Sequence, residues 1–334
     1  MKRLLAPGLL FLALRFLCGA EASATEIELD GAGARFPYPI YAKWFEAYGK
    51  IDPQVRFGYR PIGSDGGCRE IAGRTVDFGA SGGPLPASPD GLLYFPMAAD
   101  AVAVVYNIPG LPKLKLDGAA VAAIFLGTLT RWDDPRIAKM NPGIELTATP
   151  IVAVHRSDAA ASSYLFTDYL TQVSEEWRGR VGANTSVEWP VGIGAEGNQG
   201  ILGQIKLIPG AIGYVELADL HSCALPYLEV RNAAGVFINP TPESIRAALA
   251  TMPATDDRPQ SAAKASSMVA YPISGTTGLL VYRSQTDSGK AKKLVAFLSW
   301  AETEGQAAVR DSGYPQLPDA VRNRGLSRIA EIGD

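Results

Sequence analysis

Three short stretches decide how this chain is read: Gly31-Ala-Gly-Ala-Arg-Phe-Pro37, Gly63-Ser-Asp-Gly-Gly67 and Asp77-Phe-Gly-Ala-Ser-Gly82. The first two are glycine-rich turns that each run straight into a predicted helix. The third is a tight polar turn after a short strand pattern. A helix start offers free backbone N–H groups and the positive end of the helix dipole, so it suits an anion. Two such starts so close in sequence predict one small pocket lined by backbone donors and hydroxyls.

Outward from these turns, strand and helix patterns alternate, which indicates an α/β fold. Residues 26–30 alternate as a half-buried strand, and from Pro37 the residues Ile40, Tyr41, Trp44, Phe45 and Tyr48 form one helical face. Val55 to Tyr59 reads as a strand, 66–73 as a helix and Ala101 to Tyr106 as a buried strand. Asp117 is a predicted cap for a helix through Phe125. A strand over 151–154 is followed by a helix over 161–172, and 211–215 is strand-like again. Thr241-Pro242-Glu243-Ser244 only partly fits a helix start, because Ser244 occupies the box position. A strand over 279–282, a helix from about 290 to 310 and a short terminal helix complete the pattern, and 253–267 reads as a surface loop.

The length of 334 residues predicts two domains. Lys2, Arg3, the apolar run 4–19 and the small residues Ala20, Ala22 and Ala24 read as an export signal over 1–24, hence a periplasmic protein. Arg15 interrupts the apolar run, and Leu17 before Cys18 does not suit a lipoprotein cleavage box; a retained anchor is the alternative. The formal net charge is −3; losing Lys2, Arg3, Arg15 and Glu21, a net +2, leaves −5. That balance excludes nucleic acid as a partner, but not a small anion, because pocket charge is local. Cys68 and Cys223 remain after export, and an oxidising compartment permits a disulfide that spacing cannot establish. Cys68 reads as a small buried hydrophobe.

With only His155 and His221, no CxxC pair and no HExxH, neither a metal site nor a cofactor is expected, and no nucleophilic triad is legible. Both histidines read as surface or packing residues. Gly192-Ile-Gly-Ala-Glu-Gly197 matches GxGxxG literally, but Pro190 disrupts the preceding strand and Gly200 and Gly203 weaken the following helix, so it reads as a loop. A third anion element is His155-Arg-Ser-Asp-Ala-Ala-Ala-Ser162, between a strand and a helix. Arg156 can grip an oxyanion bidentately, and Asp158 can hold that guanidinium. Alone it would be an ordinary surface pair. Beside two other helix starts it reads as part of the pocket.

The chain resembles the periplasmic phosphate-binding proteins of high-affinity phosphate ABC importers. The likeness covers nearly all of the mature chain. It is carried by Gly31-Ala-Gly33, Phe36-Pro37, Tyr41-Ala-Lys-Trp44, Gly63-Ser64, Gly66-Gly67, Thr75-Val-Asp-Phe-Gly-Ala-Ser81, Trp132-Asp-Asp134, Asn141-Pro-Gly143, Gly197-Asn198, Pro209-Gly-Ala-Ile-Gly-Tyr-Val-Glu216 and Thr276-Thr277. It implies an α/β, two-lobed periplasmic binding protein of type II-like form, with hinge-linked Rossmann-like domains. Lobe I would be discontinuous, 25–100 plus 274–334, and lobe II would be 101–273. The implied ligand-binding residues are Arg35, Phe36, Ser64, Gly82, Arg156, Ala160, Ala161 and Ser162, with Asp158 in support and no catalytic residue. The implied partners are phosphate or a similar anion and the importer's membrane subunits, with no nucleic acid and a monomeric chain.

Departures from the family pattern bear on the ligand. Arg35 stands where the family has Thr, and Gly82 where it has the Asp that accepts the phosphate proton. Ala159, Ala160 and Ala161 replace Gly, Ser and Gly. A lost proton acceptor costs roughly 1–3 kcal/mol and a lost hydroxyl about 1 kcal/mol. Ala161 would cost about 1 kcal/mol more if a positive φ were required, and Arg35 can return a similar amount. A binding protein retuned to sulfate, a phosphonate, a phosphate ester or an organic acid, including a larger anion filling the space at Gly82, is therefore the second reading. A phosphate-ester hydrolase is the third, and it lacks metal ligands and an activated nucleophile.

Overall fold

The computed structural model describes residues 26–333 apart from 86–89, 112, 221–222, 253–258, 260 and 313. The predicted export signal, His221 and the centre of the predicted 253–267 loop lie outside the described residues. The strands are β1 (Ile27–Gly33), β2 (Val55–Arg60), β3 (Phe78–Ser81), β4 (Leu92–Tyr106), β5 (Lys115–Leu116), β6 (Val152–Arg156), β7 (Ile193–Ala195), β8 (Ala211–Glu216), β9 (Glu229–Arg231), β10 (Phe237–Ile238) and β11 (Ser274–Tyr282). The helices are α1 (Tyr38–Ile51), α2 (Ser64–Ala72), α3 (Gly118–Phe125), α4 (Pro135–Met140), α5 (Ala161–Val173), α6 (Glu175–Arg180), α7 (Gly197–Leu207), α8 (Leu217–Leu220), α9 (Pro242–Leu249), α10 (Ser288–Glu302), α11 (Gln306–Asp311) and α12 (Asp319–Ile329).

One strand organises the molecule. The residues of β4 up to Ala101 pair antiparallel with β11, and those from Val102 to Tyr106 pair antiparallel with β8. The large sheet therefore runs β2-β1-β3-β11-β4-β8-β6-β7, with a small β10-β9-β5 sheet beside it. Two aromatic cores lie on either side of that crossing: Trp44, Phe78, Phe95 and Phe297 in one, Trp132, Phe166, Trp177 and Tyr214 in the other. This is the two-lobed α/β form that the resemblance implies.

Local chemistry explains most elements. Asp117 caps α3 by accepting from the Ala120 amide. The half-matching start at Thr241 forms a full reciprocal box, with the Ser244 hydroxyl bonded to the Thr241 backbone N–H. In α2, Gly67 is obligatory, because a Cβ there would lie 2.5 Å from Gly33 Cα and 2.7 Å from two backbone oxygens of β1 and β3. That close approach presses the start of α2 onto the sheet.

Three expectations need correction. The 192–197 segment is not a loop: it holds β7 and the first residue of α7. Each helical glycine costs about 1 kcal/mol, but Ile201, Leu202 and Ile205 of α7 are fully buried, which outweighs that penalty. The helix expected over about 290–310 is two helices, α10 and α11, broken at 303–305 where the buried Trp44 indole donates to the Gly305 carbonyl at 2.7 Å. Ala161 carries no left-handed backbone cost, since Arg74 is the one non-glycine residue at positive φ among the described residues. Cys68 is buried, and both Cys68 and Cys223 are free thiols.

Candidate anion-binding site

Three helices point their N-termini at one small cavity. Phe36 precedes α1, Gly63 and Ser64 open α2, and Ala160 and Ala161 open α5, and all of them line it. None of the three N-cap residues, Pro37, Gly63 and Ala160, supplies a side-chain cap, as is also the case for Glu196, Gly305 and Pro318 before α7, α11 and α12. First-turn amides of α2 and α5 have no backbone acceptor among the described residues and are left to the cavity, where a negative charge gains from aligned dipoles, whereas at α1 the Tyr38 and Ile40 amides are taken by the Arg35 and Pro37 carbonyls. Gly63 makes the sharp entry to α2 possible with φ of 90°. The cavity is small and is lined by Phe36, Ser64, Arg156, Ala160, Ala161 and Glu216 among others.

Arg156 is the buried cation of the site, 5% exposed at the end of β6. Asp158 grips it as a fork, with Nε to Oδ1 at 2.7 Å and Nη2 to Oδ2 at 2.6 Å. Its Nη1 donates to Ser162 Oγ and to Asn198 Oδ1, each at 3.1 Å. A guanidinium has five N–H bonds, so one, on Nη2, is left without a partner among the described residues. Burial opposes the Arg156 charge, but the Asp158 bond and the field of Glu216 outweigh it and raise its pKa. Burial likewise opposes the charge of Asp158, yet the Arg156 guanidinium and the Gly197 amide hold its carboxyl below the ordinary value.

Arg35 crosses the cleft. Its Nη1 lies 3.0 Å from Asp158 Oδ2 and its Nε donates to the Pro61 carbonyl at 3.1 Å, while the side chain remains 49% exposed. It therefore sits at the cavity rim, tied to the opposite wall. A second tie across the cleft joins the Thr185 hydroxyl to Asp65, 3.1 Å from both carboxylate oxygens.

Gly82 does not line the cavity. Its amide donates to Ser64 Oγ at 3.2 Å, and a Cβ at this position would meet Ala161 Cβ at 3.0 Å and Thr277 Oγ1 at 3.1 Å. The space imagined there for a larger anion is already filled by Ala161. Ser162 also stands behind the lining, attached through Arg156. His155 is a packing residue, stacked on Trp189 at 4.8 Å.

Sequence reasoning missed four participants. Glu216 lines the cavity, and Asn198 bridges Arg156 to Glu216 and Asp219 through amide donations of 2.6 Å each. Asp65 and Thr185 form the second tie. Asn198 and Glu216 stood in the quoted motifs, but nothing local marked them as neighbours of Arg156.

A cleft closed over a small cavity, ringed by helix N-termini and floored by a buried guanidinium, defines a two-lobed solute-binding protein. A family profile described as "PBP superfamily domain" matches residues 19–302. A phosphate-binding protein PstS of Xylella fastidiosa is 36% identical over 299 residues, which is 87% of this chain and 82% of that relative. The PstS protein of Pasteurella multocida is 36% identical over 321 residues, covering 92% of each. Among solved structures, a phosphate-binding protein from Stenotrophomonas maltophilia matches with a TM-score of 0.65 at 19% identity, over 90% of this chain and 94% of that one. An ABC-type phosphate transport receptor from Vibrio cholerae matches with a TM-score of 0.61 at 16% identity, over 86% and 99%. The chain belongs to the PBP superfamily and, within it, to the PstS family of phosphate-binding proteins.

Proposed function

We propose that this chain is the exported solute-binding component of an ABC importer and captures inorganic phosphate between two lobes, 25–100 with 274–334 and 101–273. The observation that carries the reading is the convergence of the N-termini of α2 and α5, the Phe36 backbone before α1 and the Arg156 fork on one small cavity. The lobe boundaries are supported by the place where β4 exchanges β11 for β8 and by the start of β11 at Ser274. Relatives named for phosphate binding support the ligand.

In this reading Phe36, Ser64 and Ala161 present backbone and hydroxyl donors to the anion, while Ala160 lines the cavity with its amide held by the Thr185 carbonyl. Arg156 supplies charge and its remaining N–H. Ser162 and Asp158 orient Arg156, Gly82 orients the Ser64 hydroxyl, and Arg35 closes the rim. Closure and binding are linked, because only the closed form brings 34–36 and 63–64 to 156–162. The cavity size and the packing of Ala161 against Gly82 favour phosphate over an ester or an organic acid. The chain acts as a monomeric carrier that makes and breaks no covalent bond and hands its anion to the importer's membrane subunits. Among the described residues no helix is long and apolar enough to cross a membrane.

A thermal-shift panel of phosphate, sulfate, a phosphonate and a phosphate ester tests the ligand. The midpoint should climb with phosphate concentration, since ligand at about 1,000 times Kd adds about 4 kcal/mol to the native state. A climb with the ester and none with phosphate would overturn the reading.

A further inference from the structure

The turn that joins β1 to α1 runs along the cavity, with Ala34, Arg35 and Phe36 in its lining. All four carbonyls of residues 33–36 are met by donors. The Gly33 carbonyl accepts from the Gly63 amide at 2.9 Å, and the Arg35 carbonyl from the Tyr38 amide at 3.2 Å. The Ala34 carbonyl accepts from the Tyr59 hydroxyl at 2.7 Å, and the Phe36 carbonyl from the Tyr314 hydroxyl at 3.4 Å. The amides of the turn divide differently. That of Ala34 donates to the Ala80 carbonyl at 2.9 Å, whereas those of Arg35 and Phe36 have no acceptor among the described residues.

That asymmetry suits an anion. Successive free N–H groups attract negative charge, and a bare carbonyl oxygen turned toward it repels. The Ala34 carbonyl and the Arg35 N–H belong to one planar peptide unit and point in opposite directions across a trans bond, so the donor that fixes the first also aims the second. That donor is Tyr59, near the end of β2, whose backbone pairs with Gly31 of β1. Its ring is stacked on Tyr38 with centroids 5.7 Å apart, stands edge-on to Tyr41 at 5.5 Å and lies 6.2 Å from Phe78. Tyr41 and Phe78 are buried, and packed aromatic faces of this kind hold a ring in place. Tyr59 itself does not line the cavity.

We propose that Tyr59 is a positioning residue for the anion: its hydroxyl holds the Ala34 carbonyl away from the cavity and thereby aims the Arg35 amide, beside that of Phe36, at the bound oxyanion. The inference rests on reading the cavity as the phosphate site. Without the hydroxyl, the peptide unit between Ala34 and Arg35 loses its fixed orientation, and its unpaired carbonyl is free to turn toward the ligand. Ala34 and Tyr59 both belong to the lobe that contains β1 and β2, so their bond is present whether the cleft is open or closed. A hydroxyl that served the fold alone would therefore change the stability of the protein and leave its phosphate affinity as it was.

The test is calorimetric titration of inorganic phosphate into the wild type and Tyr59→Phe, which keeps the ring and deletes the hydroxyl, each with a thermal melt. Loss of one hydrogen bond that acts on the ligand's donors predicts binding about two- to tenfold weaker. Tyr169→Phe is the control. Its hydroxyl holds the Arg231 carbonyl at 3.1 Å and neither residue lines the cavity, so this variant should melt lower and bind as the wild type does. A second measurement needs no variant. In the nitrogen-15-labelled wild type, the Arg35 and Phe36 amide resonances should shift on saturation with phosphate, as donors entering charge-assisted bonds do, and the Arg35 shift should shrink in Tyr59→Phe. Wild-type affinity in Tyr59→Phe, an equal loss of affinity in Tyr169→Phe, or an Arg35 amide that does not respond to phosphate overturns the proposal and leaves the site reading standing. That reading fails separately, if Arg156→Ala binds phosphate as the wild type does.

Discussion

Replacing Arg35 by alanine removes one of the two side-chain ties across the cleft found among the described residues, and its cost can be worked from the geometry. The Arg35–Asp158 contact is 3.0 Å, between side chains 49% and 18% exposed. Exposed pairs contribute about 0.2–1 kcal/mol. Asp158 already takes two bonds from Arg156 and one from the Gly197 amide, so a second cation adds at the upper end of that range at most. About 1 kcal/mol is roughly fivefold in an equilibrium constant. Arg35 and Asp158 belong to opposite walls, so the loss falls on the closed form and appears as weaker phosphate affinity. Isothermal calorimetry at low salt should show Arg35→Ala about fivefold weaker than wild type. At about 1 M salt, where the screening length is about 3 Å, the difference should fall below about twofold. Equal affinities at low salt would refute the tie. A loss of fiftyfold or more would refute it in the other direction, because a charge-assisted bond made to the anion itself is worth about 1.5–3 kcal/mol.

Thr185→Val removes the hydroxyl that reaches Asp65 while keeping the side chain's shape. Phosphate affinity should drop about two- to tenfold, and calorimetry giving wild-type affinity would show that the contact does not hold the cleft shut. Asn198→Ala unseats Arg156 and deprives Glu216 and Asp219 of their amide donor. An affinity loss of about tenfold or more follows from the roughly 1–3 kcal/mol of an unsatisfied buried group, checked in the same assay. Glu302 is 1% exposed, neither of its carboxyl oxygens has a hydrogen-bond partner among the described residues, and burial pushes its pKa well up, against the pull of Arg322. The folded state then binds the proton more tightly than the unfolded chain, so stability falls as pH rises above the ordinary carboxyl range toward the raised value. Denaturant melts of Glu302→Gln should show a stabilisation relative to wild type that is near zero at about pH 4 and grows toward pH 8. A difference independent of pH contradicts the assignment.

The parts of the site legible in the sequence are those written locally. A glycine turn before a helix marks Gly63 and Ser64, and an arginine two residues from an aspartate marks the Arg156–Asp158 fork. The missed parts are brought together only by folding: Asp65 meets Thr185 from 120 residues away, and Asn198 meets Arg156 from 42. Arg35 was legible as a cation near an anion pocket, but its tie to Asp158 spans 123 residues. The misread GxGxxG segment shows tertiary burial overriding local propensity, since glycines that weaken α7 in isolation sit beside Ile201, Leu202 and Ile205 packed into the core. The length of β4 was hidden by Pro96, a residue that argues against a central strand. The structure accommodates it at the register shift opposite Thr277 and Gly278.

The most direct test of the account is phosphate binding by Arg156→Ala, measured by calorimetry beside the wild type, with a melt to confirm that the variant is folded. Removing the guanidinium takes away the buried positive charge and leaves Asp158 without its fork partner. The account predicts at least a hundredfold loss, as expected of about 3 kcal/mol or more for breaking a buried charge-paired contact. A folded variant that binds phosphate as tightly as the wild type would place the anion elsewhere and contradict it.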